Sequence, residues 1–132
     1  MNNKPQLVSM KCAIVSGEES GDRLGADLII NLRTALGVQV NLIGVGGEKL
    51  EHLGLKSFFP SKTLSVMGLW AVIKKLPQLI FYLNSLARYV ARQNPDVLII
   101  IDSPDFTHRL AKKVRRLNPS IPIVKYVAPS VW

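Results

Sequence analysis

Cysteine is nearly missing from this chain of 132 residues: Cys12 stands alone. No disulfide can form within it, which fits a reducing compartment. A single thiol inside an apolar run reads as a small core residue. Long apolar runs are also missing. The longest uncharged apolar-rich stretches, residues 63–73 and 76–87, are shorter than the ~18 residues that a spanning helix needs. Residues 1–6 are polar and hold no apolar secretory segment, and residues 1–10 read as a polar tail. No stretch has the composition of a disordered linker. Acid is missing over two long spans. Between His52 and Pro95 there is none, against six basic residues, and from Phe106 onward there is again none against six. The net charge of +8 therefore lies on surfaces that attract polyanions, either nucleic acid or an anionic lipid leaflet.

What is present is an alternation of short apolar runs and amphipathic stretches. A strand is expected over 11–16, then a helix over 22–36 with Leu24, Leu28, Leu32 and Leu36 at helical spacing and Gly37 as its stop. A second strand, 38–45, ends in a glycine cluster. A short helix follows over 48–53, closed by Gly54, and 55–59 reads as a short third strand. Residues 66–93 read as helix interrupted at Pro77, which suits the first turn of a second piece. Residues 97–101 form a strand apolar on both faces, the pattern of a parallel sheet. Helix returns over 104–117 and strand over 121–127. The order predicts a doubly wound, Rossmann-like α/β sheet. At 48% hydrophobic content the length allows one compact core but not two lobes. The chain ends within a few residues of a strand, so an incomplete lobe over 11–132 is expected.

Ligands of such sheets bind outside the carboxyl ends of the strands. Three loops there are polar. The first, Ser16-Gly17-Glu18-Glu19-Ser20-Gly21-Asp22, is not the dinucleotide pattern GxGxxG. Its three carboxylates would repel a phosphate at the helix start but can accept hydrogen bonds from sugar hydroxyls. A purely structural turn, with Ser20 as helix cap, is the competing account. The second loop, Gly44-Val45-Gly46-Gly47, reads as a tight turn. In the third, Ile101-Asp102-Ser103-Pro104-Asp105-Phe106, Pro104 suits the first helical position with Ser103 as cap, and Asp105 falls in the first turn. Asp102 ends an apolar strand and faces the crevice, where an unpaired carboxylate is costly. It is the best general-base candidate. His108 reads as a surface or packing residue.

The stretch 64–90 carries more apolar side chains than one sheet-facing stripe can bury. Leu69, Val72, Ile73, Leu76, Ile80, Leu83, Ala87 and Val90 make one face. Val66, Met67, Trp70, Leu79, Phe81, Tyr82 and Leu86 lie outside it. With Lys62, Lys74 and Lys75 the composition is that of an interfacial anchor.

Taken in order, Gly17–Asp22 residue by residue as above, Gly44-Val45-Gly46-Gly47, Leu64-Ser65-Val66-Met67-Gly68, Ile101-Asp102-Ser103-Pro104-Asp105-Phe106 and Tyr126-Val127-Ala128-Pro129-Ser130-Val131-Trp132 resemble the lipid-A-disaccharide synthases. The resemblance runs from about Lys11 to the last residue. It implies the amino-terminal, acceptor-side part of a two-lobed GT-B glycosyltransferase whose UDP-binding lobe lies beyond this chain. The family joins UDP-2,3-diacylglucosamine to 2,3-diacylglucosamine 1-phosphate, with inversion, giving a β(1→6) disaccharide and UDP. It needs no cofactor or metal. The resemblance gives Asp102 the role of base and puts Gly17, Glu18, Glu19, Ser20, Gly21, Asp22, Asp105 and Ser130 near substrate. It also implies contact of Val66, Met67, Leu69, Trp70, Ile73, Lys74 and Lys75 with the anionic inner membrane of a Gram-negative bacterium, on its cytoplasmic side.

Other readings compete. A lone lobe would be an inactive remnant or a membrane-surface lipid-binding fragment. A basic nucleic-acid module draws on residues 109–116, but that cluster has no interleaved aromatics and no recognised motif, so nucleic acid is not the expected partner. An incomplete sheet leaves an unpaired edge, and self-association along it is expected. A clean monomer in sedimentation would contradict that.

Overall fold

The computed structural model describes residues 9–63 and 77–127. Eight elements follow in order: β1 (Ser9–Val15), α1 (Glu19–Leu36), β2 (Gln39–Val45), α2 (Glu48–His52), α3 (Pro77–Gln93), β3 (Val97–Ile100), α4 (Pro104–Leu117) and β4 (Ile123–Lys125). The four strands form one sheet in the order β2-β1-β3-β4, and every pairing is parallel. This is the Rossmann-like α/β class that the alternation predicts.

Residues alternate across the central strands, so each strand supplies two cores. Ala13 and Val15 of β1, with Leu98 and Ile100 of β3, pack against Leu83, Leu86, Ala87 and Val90 of α3 and against Phe106, Leu110 and Val114 of α4. Cys12, Ile14, Ile99 and Ile101 face the other way, onto Ala26 and Ile29 of α1 and Leu50 of α2. Thus α1 and α2 cover one face and α3 and α4 the other. The strand buried on both faces explains the unbroken run Val97-Leu98-Ile99-Ile100-Ile101.

Several sequence expectations need correction. Residues 55–59 form no strand. The Phe58 N–H donates to Gly44 O at 2.7 Å, but Ser57 Oγ occupies the neighbouring positions, taking the Gly46 N–H and donating to Phe59 O. Leu55 and Phe59 are buried there as loop anchors. Helix α1 begins three residues earlier than expected, at Glu19, with Glu18 as N-cap and no side-chain cap, so Ser20 does not cap it. On α3, Leu86 is fully buried while Ile80 is 58% exposed. The core stripe runs through Leu83, Leu86, Ala87 and Val90 rather than through Ile80. Pro77 opens α3 as its missing N–H favours, and Gly37 closes α1 at φ 63° with its N–H on Arg33 O. Of the apolar anchor proposed from sequence, Val66, Met67, Leu69, Trp70, Ile73, Lys74 and Lys75 lie outside the described residues, as does Ser130. No helix among the described residues is long and apolar enough to cross a membrane.

Two measurements check this packing. Leu110→Ala, at a site with no solvent exposure, should cost about 2–5 kcal/mol in urea unfolding; Leu117→Ala, 55% exposed, should stay within about 0.5 kcal/mol. Burial, and secondarily the charge of Asp96, pushes the Cys12 thiol from its ordinary 9.0 to about 12. Between those pH values the unfolded chain loses this proton and the native chain keeps it. Stability contributed by the buried thiol is therefore intact below pH 9.0 and is lost as pH rises toward 12. Cys12→Ala should flatten that part of the stability-pH curve; an unchanged slope would contradict the assignment.

Candidate functional site

The strands end together, so their following loops share one rim. The Ser16 N–H bonds Val45 O and the Ile101 N–H bonds Val15 O, both at 2.9 Å. Two aspartates stitch these loops.

Asp102 follows β3 with φ 49°, and Ser103 follows it with φ 45°. Two successive non-glycine residues in the left-handed region carry strain, of order 1–3 kcal/mol each. The turn they make aims the Asp102 carboxylate sideways at the β1–α1 loop. Oδ1 accepts the Gly17 N–H at 2.9 Å and the Ser103 hydroxyl at 3.0 Å. Oδ2 accepts the Ser16 hydroxyl at 3.1 Å and the Glu18 N–H at 3.2 Å. Thr107 Oγ1 secures the turn by donating to the carbonyls of Asp102 and Ser103 at 3.1 and 3.2 Å. Ser103 was expected as a side-chain cap of α4. It occupies the N-cap position without a side-chain cap bond, because its hydroxyl is turned to Asp102 instead.

Gly21 exists to admit this carboxylate. A Cβ there would collide with Asp102 Oδ2 and stand 2.6 Å from Ser16 Oγ. Asp22, 5% exposed, reaches to the next loop. Its Oδ1 accepts the N–H groups of Gly47 at 2.8 Å and Leu50 at 3.2 Å, and its Oδ2 that of Lys49 at 2.8 Å. It thereby caps α2 from a different helix, and Gly47 lacks a Cβ where one would meet the Asp22 carboxylate at 2.9 Å.

The loop so held separates two cavities. On one side lies a largely apolar cavity of about 440 Å³, walled by Ser20, Gly21, Leu24, Ile101, Asp102, Pro104 and Tyr126, with Arg23, Asp27 and Lys125 also lining it. On the other lies a polar cleft of about 720 Å³ with Gly17, Glu18, Glu19 and Asp22 on one wall and Glu48, Lys49, His52, Ser61 and Lys62 on the other. Six sequence-predicted positions, Gly17 through Asp22, thus line one cavity or the other, and Asp102 lies against the loop between them. Asp105 is exposed in the first turn of α4 and lines neither. Sequence reasoning placed Ser16 at the head of the first polar loop but gave it no role; the structure puts its hydroxyl on Asp102 Oδ2. Sequence reasoning missed the far wall of the cleft: Lys49 and His52 come from α2 and Ser61 and Lys62 from the segment that follows it, and Lys62, read from sequence as part of an interfacial anchor, lines this cleft.

A family profile described as lipid-A-disaccharide synthetase matches residues 12–132. The chain is 51% identical over 122 residues to the lipid-A-disaccharide synthase of Rhodopseudomonas palustris strain BisB18, covering 92% of this chain and 31% of that protein. It is 50% identical over 124 residues to that of Nitrobacter winogradskyi, covering 94% of this chain and 31% of that one. The chain therefore spans about a third of the length of the curated relatives it matches.

The stitching generates two predictions. Gly21→Ala should displace the Asp102 carboxylate, destabilise the fold by about 1–3 kcal/mol and speed hydrogen exchange at the Gly17 and Glu18 amides. Asp22→Ala leaves the amides of Gly47, Lys49 and Leu50 at the start of α2 without this acceptor. It should cost about 0.5–2 kcal/mol and raise exchange at Gly47, Lys49 and Leu50 while Gly17 stays protected. Equal protection loss in both loops from either variant would show that the two aspartates do not act separately.

Proposed function

This chain belongs to the lipid-A-disaccharide synthetase family, and from that membership we propose that it forms the acceptor-side part of a glycosyltransferase of lipid A biosynthesis. The reaction joins UDP-2,3-diacylglucosamine to 2,3-diacylglucosamine 1-phosphate, and the donor's UDP is held by a lobe supplied by polypeptide beyond these residues. The observation that carries the reading is the pair of chemically opposite cavities on either side of the loop that Asp102 clamps. An amphiphilic acceptor needs both. Its sugar hydroxyls suit Glu18 and Glu19, which accept hydrogen bonds, and its phosphate suits Lys49 and Lys62 across the cleft. An acyl chain suits the apolar cavity beside Ser20 and Gly21. Asp22 serves by holding the cleft's far wall in place.

Asp102 is the proposed base. An ionised carboxylate offers about four lone-pair sites, and four donors already use them. The two contacts on Oδ2 are the longer pair, so an acceptor hydroxyl displaces one of them and donates to Oδ2. As its oxygen attacks the donor's anomeric carbon from the face opposite UDP, the proton passes to Oδ2. The glycosidic pair leaves with UDP, and the configuration inverts. A single displacement needs no second carboxylate as nucleophile. Asp105, exposed one turn along, is the alternative base.

Both lipid substrates reside in a bilayer, so the protein works on the cytoplasmic face of the inner membrane as a peripheral enzyme. Residues 64–80 are the proposed docking region.

The test joins this chain to the carboxyl-terminal remainder of the Rhodopseudomonas palustris relative and measures UDP release. The chimera should turn over and the 132-residue chain alone should not. Asp102→Ala should lower kcat by about a hundredfold or more, far more than it raises KM, while Asp105→Ala stays within a few-fold. Ser16→Ala, which removes a donor but keeps the carboxylate, should retain most turnover. If Ser16→Ala falls as far as Asp102→Ala, Asp102 is a clamp and not a base; if only Asp105→Ala is inactive, Asp105 is the base.

A further inference from the structure

The outer surface of α3 and α4 carries a second binding feature, away from the rim of the sheet. Where the two helices meet, Asn84 and Arg88 of α3 and Lys113, Arg116 and Leu117 of α4 line a groove of about 200 Å³. Three cations converge there. Helix α3 contains no acid, and α4 contains only Asp105 in its first turn, so no side chain of either helix neutralises the groove. Asn84 also lines the groove; its Oδ1 is buried with no hydrogen-bond partner among the described residues, and its Nδ2–H groups are the donors suited to a phosphate, which only accepts hydrogen bonds. Turning that amide into the groove therefore gives up no bond through its oxygen.

The same stripe of α3 continues into apolar surface. Ile80, Asn84 and Arg88 are four residues apart and share one face, with Phe81 beside them. Ile80 is 58% exposed and Phe81 66% exposed. At 1.5 Å per residue they stand about 12 Å along the helix from Arg88. Leu117, 55% exposed, borders the groove on α4. Cations flanked by exposed aliphatic and aromatic side chains match the interface of a bilayer. They do not match a nucleic-acid groove, where aromatics would stack between the cations. The volume suits one headgroup rather than a strand.

We propose that the groove between α3 and α4 binds the phosphodiester headgroup of an anionic membrane lipid, with Arg88, Lys113 and Arg116 on its phosphate oxygens and Ile80 and Phe81 entering the acyl boundary beside it. This deepens the membrane part of the functional reading and adds a lipid site separate from the substrate clefts.

Vesicle flotation tests it without any transferase activity. The probes are phosphatidylcholine vesicles with and without phosphatidylglycerol. The chain should bind only the anionic ones. The triple variant Arg88→Gln, Lys113→Gln, Arg116→Gln should bind them roughly a hundredfold more weakly, about fivefold per cation. A control with Lys56→Gln, Lys112→Gln and Arg115→Gln, exposed cations that line neither the groove nor the substrate cavities, has the same net charge and should lose less than a tenth of that. Arg88→Lys with Arg116→Lys should restore most binding, and circular dichroism will show whether each variant is folded. Equal loss in groove and control variants would overturn the groove while leaving membrane association standing. No binding to either vesicle would overturn both, and salt-sensitive binding to DNA in its place would turn the surface into a nucleic-acid site.

Discussion

Everything at the working rim depends on the Asp102 carboxylate. It lies two residues past the end of β3 and is turned through two left-handed residues until it meets the amides of Gly17 and Glu18. Those amides open the loop before α1. The hydrogen bonds offset the strain of the turn, and the strain gives the carboxylate its direction. Gly21 closes the arrangement, since any larger residue would occupy the carboxylate's position. A loop rich in carboxylates of its own is thus held by another carboxylate, through backbone N–H groups that do not repel it.

Asp22 repeats the device one strand over. Its oxygens reach the amides of the β2–α2 connection, so the three loops after β1, β2 and β3 form one linked rim. A fixed rim is what the proposed transfer reaction needs. Reacting groups must be held to within a fraction of an ångström, and loops tied only to solvent do not achieve that. The linkage also explains the division of space. The polar cleft and the apolar cavity are kept apart by a loop bound on both sides, the division of space that the proposed acceptor, with a sugar at one end and acyl chains at the other, would require.

The two faces of the sheet are specialised in the same sense. On the α1–α2 side the residues of the rim reach the cavities. On the α3–α4 side the packing is aromatic and aliphatic within, with Phe59 beside Tyr82 and Phe106, and basic and apolar outside. Lack of acid in α3 is a property of composition. Only the pairing of α3 with α4 brings Arg88 against Lys113 and Arg116, and a groove with a direction results from charges that lie 25 and 28 positions apart in the chain.

Much of the fold was legible because burial imposes period. Val97-Leu98-Ile99-Ile100-Ile101 can be apolar throughout only if both faces are covered, and Leu24, Leu28 and Leu32 share a face only on a helix. The end of α1 at Gly37 and the start of α3 at Pro77 followed from backbone chemistry alone. The candidate site was legible as residue types at strand ends: the carboxylates after β1, and Asp102 after the last apolar residue of β3. What the sequence could not carry was direction. Whether Ser103 caps its helix or bonds Asp102, whether Asp22 faces solvent or caps α2, and whether Ile80 or Leu86 enters the core each depend on atoms remote in the chain. Local sequence determines which conformations a residue tolerates and which face is apolar. The partner of a hydrogen bond, and with it the shape of a cavity, is decided only when the sheet brings residues 17, 22, 47 and 102 to one edge, because hydrogen bonds act over about 3 Å of space and are indifferent to separation along the chain.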